Sequence, residues 1–433
     1  MLFSFFYEIT LWILAMAAFP KMLYHRVKFG KYRESLGKRL GVGFPLIKKG
    51  NRPLVWIHAV SVGEAKAVAP LVKMLKSKLQ NPVIVVSSIT ETGHAEVQRS
   101  IPQADYKVFL PFDFRFIIRP IVRSVKPDLV ILSESDFWYN FLKSAKEVGA
   151  KIILVNGKIS SKSMQRFKKF TMLSERLFKL FDHMCIQSEH YSKRFLEMGV
   201  PSAKMTITGN LKFDGEYPAL TPEQLKIWKQ QLGIEEGDQV LVIGSSHDPE
   251  EKIFLDVSQR LWDKYPRLKV VFVPRHPERF NEVAGILQTR NIPYIRFSQL
   301  GGNVYHDQRV ILMDAMGLLR KCYQFADVAV VAGSYTSKVG GHNILEPSWY
   351  GVPVVFGPHM HSQPELVELV NRYGAGMQIS KDRLYDELEK LLSCSETRKK
   401  VGDSGLAMVA GINGATKRTI EIIAPEKLSI VAK

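Results

Sequence analysis

Short apolar runs alternate with amphipathic helical stretches twice along this chain, and nothing else in it constrains the fold as strongly. The runs at residues 54–60, 82–88, 129–132 and 152–155 read as strands. Between the first two, residues 65–79 place Val68, Leu71, Val72, Leu75 and Leu79 at helical spacing, and residues 92–99 read as the next helix. Strands apolar on both faces and separated by helices predict a parallel sheet covered on both sides. The pattern breaks at residues 209–222, where Gly, Asn, Asp and two prolines occur without an apolar period. It restarts with runs at 240–243, 270–273, 310–312, 328–332 and 352–356. The predicted fold class is α/β: two doubly wound, Rossmann-like domains joined by a linker and facing a cleft. In such sheets ligands sit beyond the carboxyl ends of the strands.

A chain of 433 residues suits two cores better than one. The expected organisation is an anchor at residues 1–20, a first domain at 21–208, a linker at 209–222 and a second domain at 223–433. Three cysteines, Cys185, Cys322 and Cys394, lie far apart with no metal-ligand spacing, which fits a reducing compartment. No HExxH and no clustered His/Asp set occurs, so neither a metal nor a cofactor is called for.

Residues 2–19 are almost wholly apolar, with Glu8 the only charge. As a helix they reach about 27 Å, barely a hydrocarbon core of roughly 30 Å. Ala15-Met16-Ala17 mimics a signal-peptidase site. Against cleavage, no positive charge precedes the run, and a dense basic cluster follows it, with Glu34 the only acid in residues 21–52. That asymmetry predicts an uncleaved anchor, spanning or embedded in one leaflet, with the downstream chain on the cytoplasmic side of the membrane. The formal charge of +18 includes a second basic stretch at 143–179 and points to nucleic acid, an anionic membrane surface or an acidic substrate.

Chemistry-bearing residues gather at the predicted strand ends. Ser61-Val62-Gly63-Glu64 follows the first run: a sharp turn, then an acid in the first turn of a helix. That acid either stabilises the helix N-terminus or serves as a general base. Ser133-Glu134-Ser135-Asp136-Phe137-Trp138 follows the third run and suits a sugar or a packed Trp; Lys158 puts a cation on the same rim. In the second half, Ser245 and then Arg275 and His276 end two strands; an Arg between prolines suits a phosphate. Gly340-Gly341-His342-Asn343-Ile344-Leu345-Glu346-Pro347 follows the run at 328–332. Glycines feeding a helix offer backbone N–H groups to a phosphate, and Glu346 suits the paired hydroxyls of a ribose. The plainer reading is a turn capped by Asn343.

Taken together, residues 58–65, 209–214, 274–279 and 340–347 resemble, in order and spacing, the Kdo transferases of lipopolysaccharide assembly. These GT-B-type glycosyltransferases move 3-deoxy-D-manno-oct-2-ulosonic acid (Kdo) from CMP-Kdo to the lipid A precursor. The resemblance runs from the N-terminal anchor to about residue 375. It implies Glu64 as catalytic base, with Arg275, His276, Gly341, Asn343 and Glu346 on the CMP side. Ser245, Met313 and Gly317 fall on that side too, and Ser61, Gly63, Glu134, Asp136 and Lys158 fall on the acceptor or sugar side. The family commonly has two Glu and a Pro where Glu134, Asp136 and Tyr139 stand here, often Arg at Lys158, and Glu at Leu318. The implied function is inverting transfer of Kdo to a sugar hydroxyl of lipid IVA, with further additions open, at an anionic membrane surface and without nucleic acid. Two alternatives stand beside it: another GT-B enzyme using a UDP-sugar, and a membrane-tethered basic nucleic-acid-binding protein.

Overall fold

In the computed structural model, residues 2–30, 32–214, 217–300 and 307–423 are described. They form two α/β units, Met1–Gly215 with Ile412–Lys433, and Glu216–Gly411. The first unit holds β1 (Leu54–His58), β2 (Val83–Ser88), β3 (Tyr106–Phe109), β4 (Leu129–Ser133), β5 (Lys151–Gly157), β6 (His183–Ile186) and β7 (Met205–Ile207). They pair in the order β3-β2-β1-β4-β5-β6-β7. Every pairing is parallel, with Val55 opposite Leu129 and Ile57 opposite Ile131. Alternate residues of β1 enter opposite cores. Trp56 packs with Phe141 and Val85 on one side, Val55 and Ile57 with Val68 and Leu71 on the other. Each such side chain, fully buried, contributes roughly 1.5–3 kcal/mol. The order of strands reverses between β1 and β4, so their carboxyl ends flank the crevice where this topology binds ligands.

The second unit repeats the design with β8 (Gln239–Ser246), β9 (Leu268–Pro274), β10 (Tyr294–Arg296), β11 (Val310–Leu312), β12 (Val328–Val331), β13 (Val354–Phe356) and β14 (Gly376–Gln378). Its parallel order is β10-β11-β9-β8-β12-β13-β14, which reverses between β8 and β12. Two parallel sheets of this kind make the GT-B type of architecture expected from the sequence.

Domain limits differ from the expectation at three places. Residues 209–214 are not linker: Leu211 is 1% exposed in the first core. The second unit stops at Gly411, and the chain returns to the first. There the Asp214 carboxylate accepts the N–H groups of Gly414 (2.8 Å), Ala415 (3.0 Å) and Thr416, capping the helix Ala415–Ile423. The Arg418 guanidinium donates to the Thr208 carbonyl at 2.8 Å. Residues 215–216 of the expected linker and 424–433 of the expected second domain lie outside the described residues. The N-terminal apolar helix is present as Leu2–Phe29, and it runs through the expected boundary at residue 20 with Pro20 inside it.

Candidate active site

In the first unit, β1 ends at His58 and the chain turns into the helix Val62–Lys78. Ser61 caps that helix, its hydroxyl oxygen accepting the Glu64 N–H at 3.3 Å. Glu64 reaches back: one carboxylate oxygen accepts the Val60 N–H (3.0 Å) and the other the Ser61 hydroxyl (3.0 Å). Glu64 thus ties the helix start to the residue before its cap, so its structural role is real. It leaves capacity, since a carboxylate has about four acceptor positions and two are used. The side chain is only 8% exposed, and burial pushes its carboxyl above the ordinary range. The charge of Glu134 pushes the same way, against the Val60 and Ser61 hydrogen bonds.

Glu134 follows β4 and holds φ at +62°, a left-handed conformation a non-glycine residue adopts at a cost. Its carboxylate is clamped between Lys158 (3.0 Å) and Lys212 (2.6 Å). Asn156, at φ +54° in β5, lies beside it at 3.5 Å. Asp136 accepts the Trp138 indole N–H at 2.7 Å and stands 3.6 Å from His58 Nε2, which has no hydrogen-bond partner. A Cβ on Gly63 would lie 3.7 Å from Lys212 Nζ. Ser61, Gly63, Glu64, Glu134 and Lys158 are therefore gathered around one strand-end crevice, with Asp136 next to β1. Lys212, in the stretch expected as linker, joins the site residues expected from the sequence.

In the second unit a cavity of about 460 Å³ opens at the carboxyl ends of β8, β9 and β12. Of the residues expected on the CMP side, Ser245, Arg275, Gly317, Asn343 and Glu346 line it. Ser245 holds φ at +58°, and Gly244 is required because a Cβ there would fall 2.1 Å from the buried Tyr323 hydroxyl. Arg320 and His342 line the cavity as well. Arg320 approaches the Glu346 carboxylate at 3.5 Å and stacks over Tyr217 at 4.4 Å. Burial raises the Glu346 carboxyl, while Arg320 and Arg275 pull it back. Arg275 forms no ion pair among the described residues; its neighbour Arg279 is the structural one, bound to Glu251 at 2.9 Å.

The glycine loop differs from the expectation. No α-helix follows it, only the single turn Pro347–Tyr350. The Gly341 N–H is used by the Gly333 carbonyl at 2.8 Å, and Asn343 Oδ1 accepts the Leu345 N–H at 3.1 Å. The cavity's cationic side is formed by Arg275 and Arg320 side chains, not by a helix N-terminus. Gly341 keeps φ at +90°, with Met360 Sδ 2.2 Å from any added Cβ, so it shapes the loop without lining the cavity. Met313 also lies outside the lining, fully buried after β11. His276 packs edge-on to His247 at 5.3 Å. His247 and His342 meet through their Nε2 atoms at 2.8 Å, and burial pushes both down to about 4, so the pair stays neutral at pH 7. Beneath them the fully buried Glu250 accepts N–H groups of Gly333 (2.7 Å), Tyr335 (2.8 Å) and His247 (3.1 Å), fixing the loop after β12. Among the described residues no three His, Cys, Asp or Glu side chains form a metal-binding group.

A family model described as 3-Deoxy-D-manno-octulosonic-acid transferase (kdotransferase) matches residues 34–215. The chain is 36% identical over 423 residues to the 3-deoxy-D-manno-octulosonic acid transferase of Chlamydophila psittaci, covering 97% of this chain and 96% of that one. To the enzyme of the same description from Haemophilus influenzae it is 30% identical over 410 residues, covering 92% and 93%. Among solved structures it is similar to UDP-GlcNAc 2-epimerase from Neisseria meningitidis, with a TM-score of 0.55 at 16% identity over 86% of this chain and 99% of that one. At that identity the likeness concerns the fold alone.

Proposed function

Since the chain belongs to the 3-deoxy-D-manno-octulosonic acid transferase family, we propose that this glycosyltransferase moves Kdo from CMP-Kdo to a sugar hydroxyl of the lipid A precursor lipid IVA, once or more. The observation that carries the mechanism is Glu64: a buried carboxylate with spare acceptor capacity, at the end of β1 beside the point where strand order reverses.

A sugar hydroxyl is a poor nucleophile at neutral pH. Glu64 takes its proton as the oxygen attacks C2 of Kdo, and general-base assistance of this kind is worth about 10²–10⁴-fold. The new C2–O bond forms as the C2–O bond to phosphate breaks, and CMP leaves with the bonding electron pair. The transition state carries oxocarbenium character, and a single displacement inverts the anomeric centre. The second unit's cavity holds the nucleotide. Arg275 and Arg320 are the cations that meet the departing phosphate, and Glu346 takes the ribose hydroxyls. Glu134, held between Lys158 and Lys212, orients the sugar or acceptor side.

The apolar N-terminal helix and the basic charge that follows it anchor the enzyme to the cytoplasmic face of the inner membrane, where the acceptor lies. The test is nucleotide titration of the full chain by calorimetry. CMP should bind more tightly than UMP or UDP, and Arg320→Ala and Glu346→Ala should weaken it while leaving lipid binding unchanged. Tighter UDP binding would favour the UDP-sugar reading; salt-sensitive oligonucleotide binding without transfer would favour the nucleic-acid reading.

A further inference from the structure

The helix Leu2–Phe29 has 28 residues, about 42 Å at roughly 1.5 Å each. Its first three turns are bolted to the first unit by polar groups. Lys143 donates to the Ser4 hydroxyl at 2.9 Å, and the Tyr7 hydroxyl donates to Asp113 at 2.8 Å. Glu8, the lone charge of the apolar run, accepts the Arg115 N–H at 3.0 Å and the Asn140 side-chain amide at 2.6 Å. Trp12 then packs on Phe114 with ring centres 4.6 Å apart. Asp113 is 3% exposed and also accepts the N–H groups of Asn140 (2.9 Å) and Phe141 (2.7 Å), so the latch is built into the core.

This attachment leaves too little helix to cross a bilayer. Beyond Trp12 the first cation is Lys21, so only residues 13–20 are both undocked and uncharged. They reach about 12 Å, against roughly 30 Å of hydrocarbon. Beyond residue 15 the cover breaks, with residues 16–21 all exposed. Buried or half-buried positions recur at 3, 4, 7, 8, 11, 15, 22, 25 and 26, while Phe5, Ile9, Met16, Phe19 and Leu23 are exposed on the opposite stripe. A helix fixed to the first unit by its first three turns, with an open apolar face beyond them, suits the plane of a membrane interface. Beside it, Arg115, Arg119 and Arg123 repeat every four residues on the helix Arg115–Val125, and with Glu8, the exposed Phe116 and Pro120 they line a cavity of about 680 Å³. Glu147 engages Arg119 and Arg123 at 2.9 and 3.6 Å, whereas the Arg115 side chain has no ion pair among the described residues.

We propose that the N-terminal helix does not span the bilayer but lies in one leaflet, latched to the first unit, with the Arg115–Arg119–Arg123 face set against the phosphates of anionic phospholipid. This rests on the membrane-anchor reading of the preceding subsection. Two experiments test it. A short peptide tag ahead of Met1 of the full chain is exposed to protease in inverted inner-membrane vesicles and in intact spheroplasts. The tag should be lost in the vesicles and kept in the spheroplasts. The opposite pattern means that the helix spans and overturns the proposal, and recovery of the chain in the soluble fraction overturns the anchor reading beneath it. For the arginine face, the exposed Arg115→Gln and Arg123→Gln variants are floated on phosphatidylcholine vesicles with and without phosphatidylglycerol. Affinity for the anionic vesicles should fall about fivefold per arginine removed, with no change on the neutral ones. Equal loss on both vesicle types, or no loss on either, rejects the phosphate contact.

Discussion

Glu64 accepts hydrogen bonds from Val60 and Ser61 at the helix start and is nevertheless held above its ordinary titration range by burial. In the proposed role of base it would act in its carboxylate form, so activity should rise as pH rises through the folded value. The acidic limb of kcat/KM should therefore lie above the ordinary glutamate value of 4.5. The His247–His342 pair, pushed down to about 4, adds no limb near the usual histidine range. Glu64→Gln should still bind CMP, lose about 10²–10⁴-fold in transfer and show no such limb. A wild-type limb at or below 4.5 would contradict burial as the controlling influence. The neighbour supplies a second check. Glu134 raises Glu64, and Lys212 neutralises Glu134 at 2.6 Å. Glu134→Gln should move the limb down and Lys212→Met should move it up; matching shifts in one direction would show that these charges do not reach Glu64. Glu64 was legible because the Ser-x-Gly-Glu sequence follows an apolar run. Lys212 and Arg320 were not, since only the fold brings them beside the ends of strands distant from them in sequence.

At the scale of elements, the runs read as strands all became strands, and they are those at or near the centre of each sheet. The strands that went unread are β3, β6, β7, β10 and β14, of which all but β6 are sheet edges. An edge strand is short and partly solvated, as in β7 and β14, where no residue is fully buried, so it lacks the continuous apolar run that marks a central strand. The loop at Gly340–Gly341 misled for a related reason. Glycines signal a tight turn, but not whether their N–H groups are free. In this loop the backbone conformation is the requirement. Gly341→Ala forces a side chain into φ +90° and against Met360, which should cost roughly 1–3 kcal/mol and weaken CMP binding more than it slows transfer at saturation. Unchanged melting and CMP affinity would remove the loop from the donor site. For the apolar helix, deleting residues 1–20 should release most of the protein from anionic vesicles. The residual binding should fall as salt rises, because the Debye length shortens from about 10 Å at 0.1 M to about 3 Å at 1 M. Full-length protein should resist the same wash; full release by salt would show that the helix is no anchor.

The whole molecule is one design used twice: a seven-stranded parallel sheet with its crevice at the strand-order reversal, the first unit carrying the buried acid and the second the cation-lined cavity. The duplication and its break near residue 215 were visible in the apolar pattern. The return of the chain at Ile412 was not, because a helix that changes units looks in sequence like any other amphipathic helix. The same division of labour underlies the central claim, that an anionic sugar leaves CMP and arrives on a lipid-borne hydroxyl. The most direct measurement is mass spectrometry of the lipid after full-length protein is incubated with CMP-Kdo and a tetraacylated lipid A precursor. The account predicts precursor heavier by a whole number of Kdo units, an equal number of CMP molecules released, and neither product at the same time point with Glu64→Gln. Unaltered precursor beside intact CMP-Kdo, from protein that transfers sugar out of a UDP-sugar pool, would contradict it.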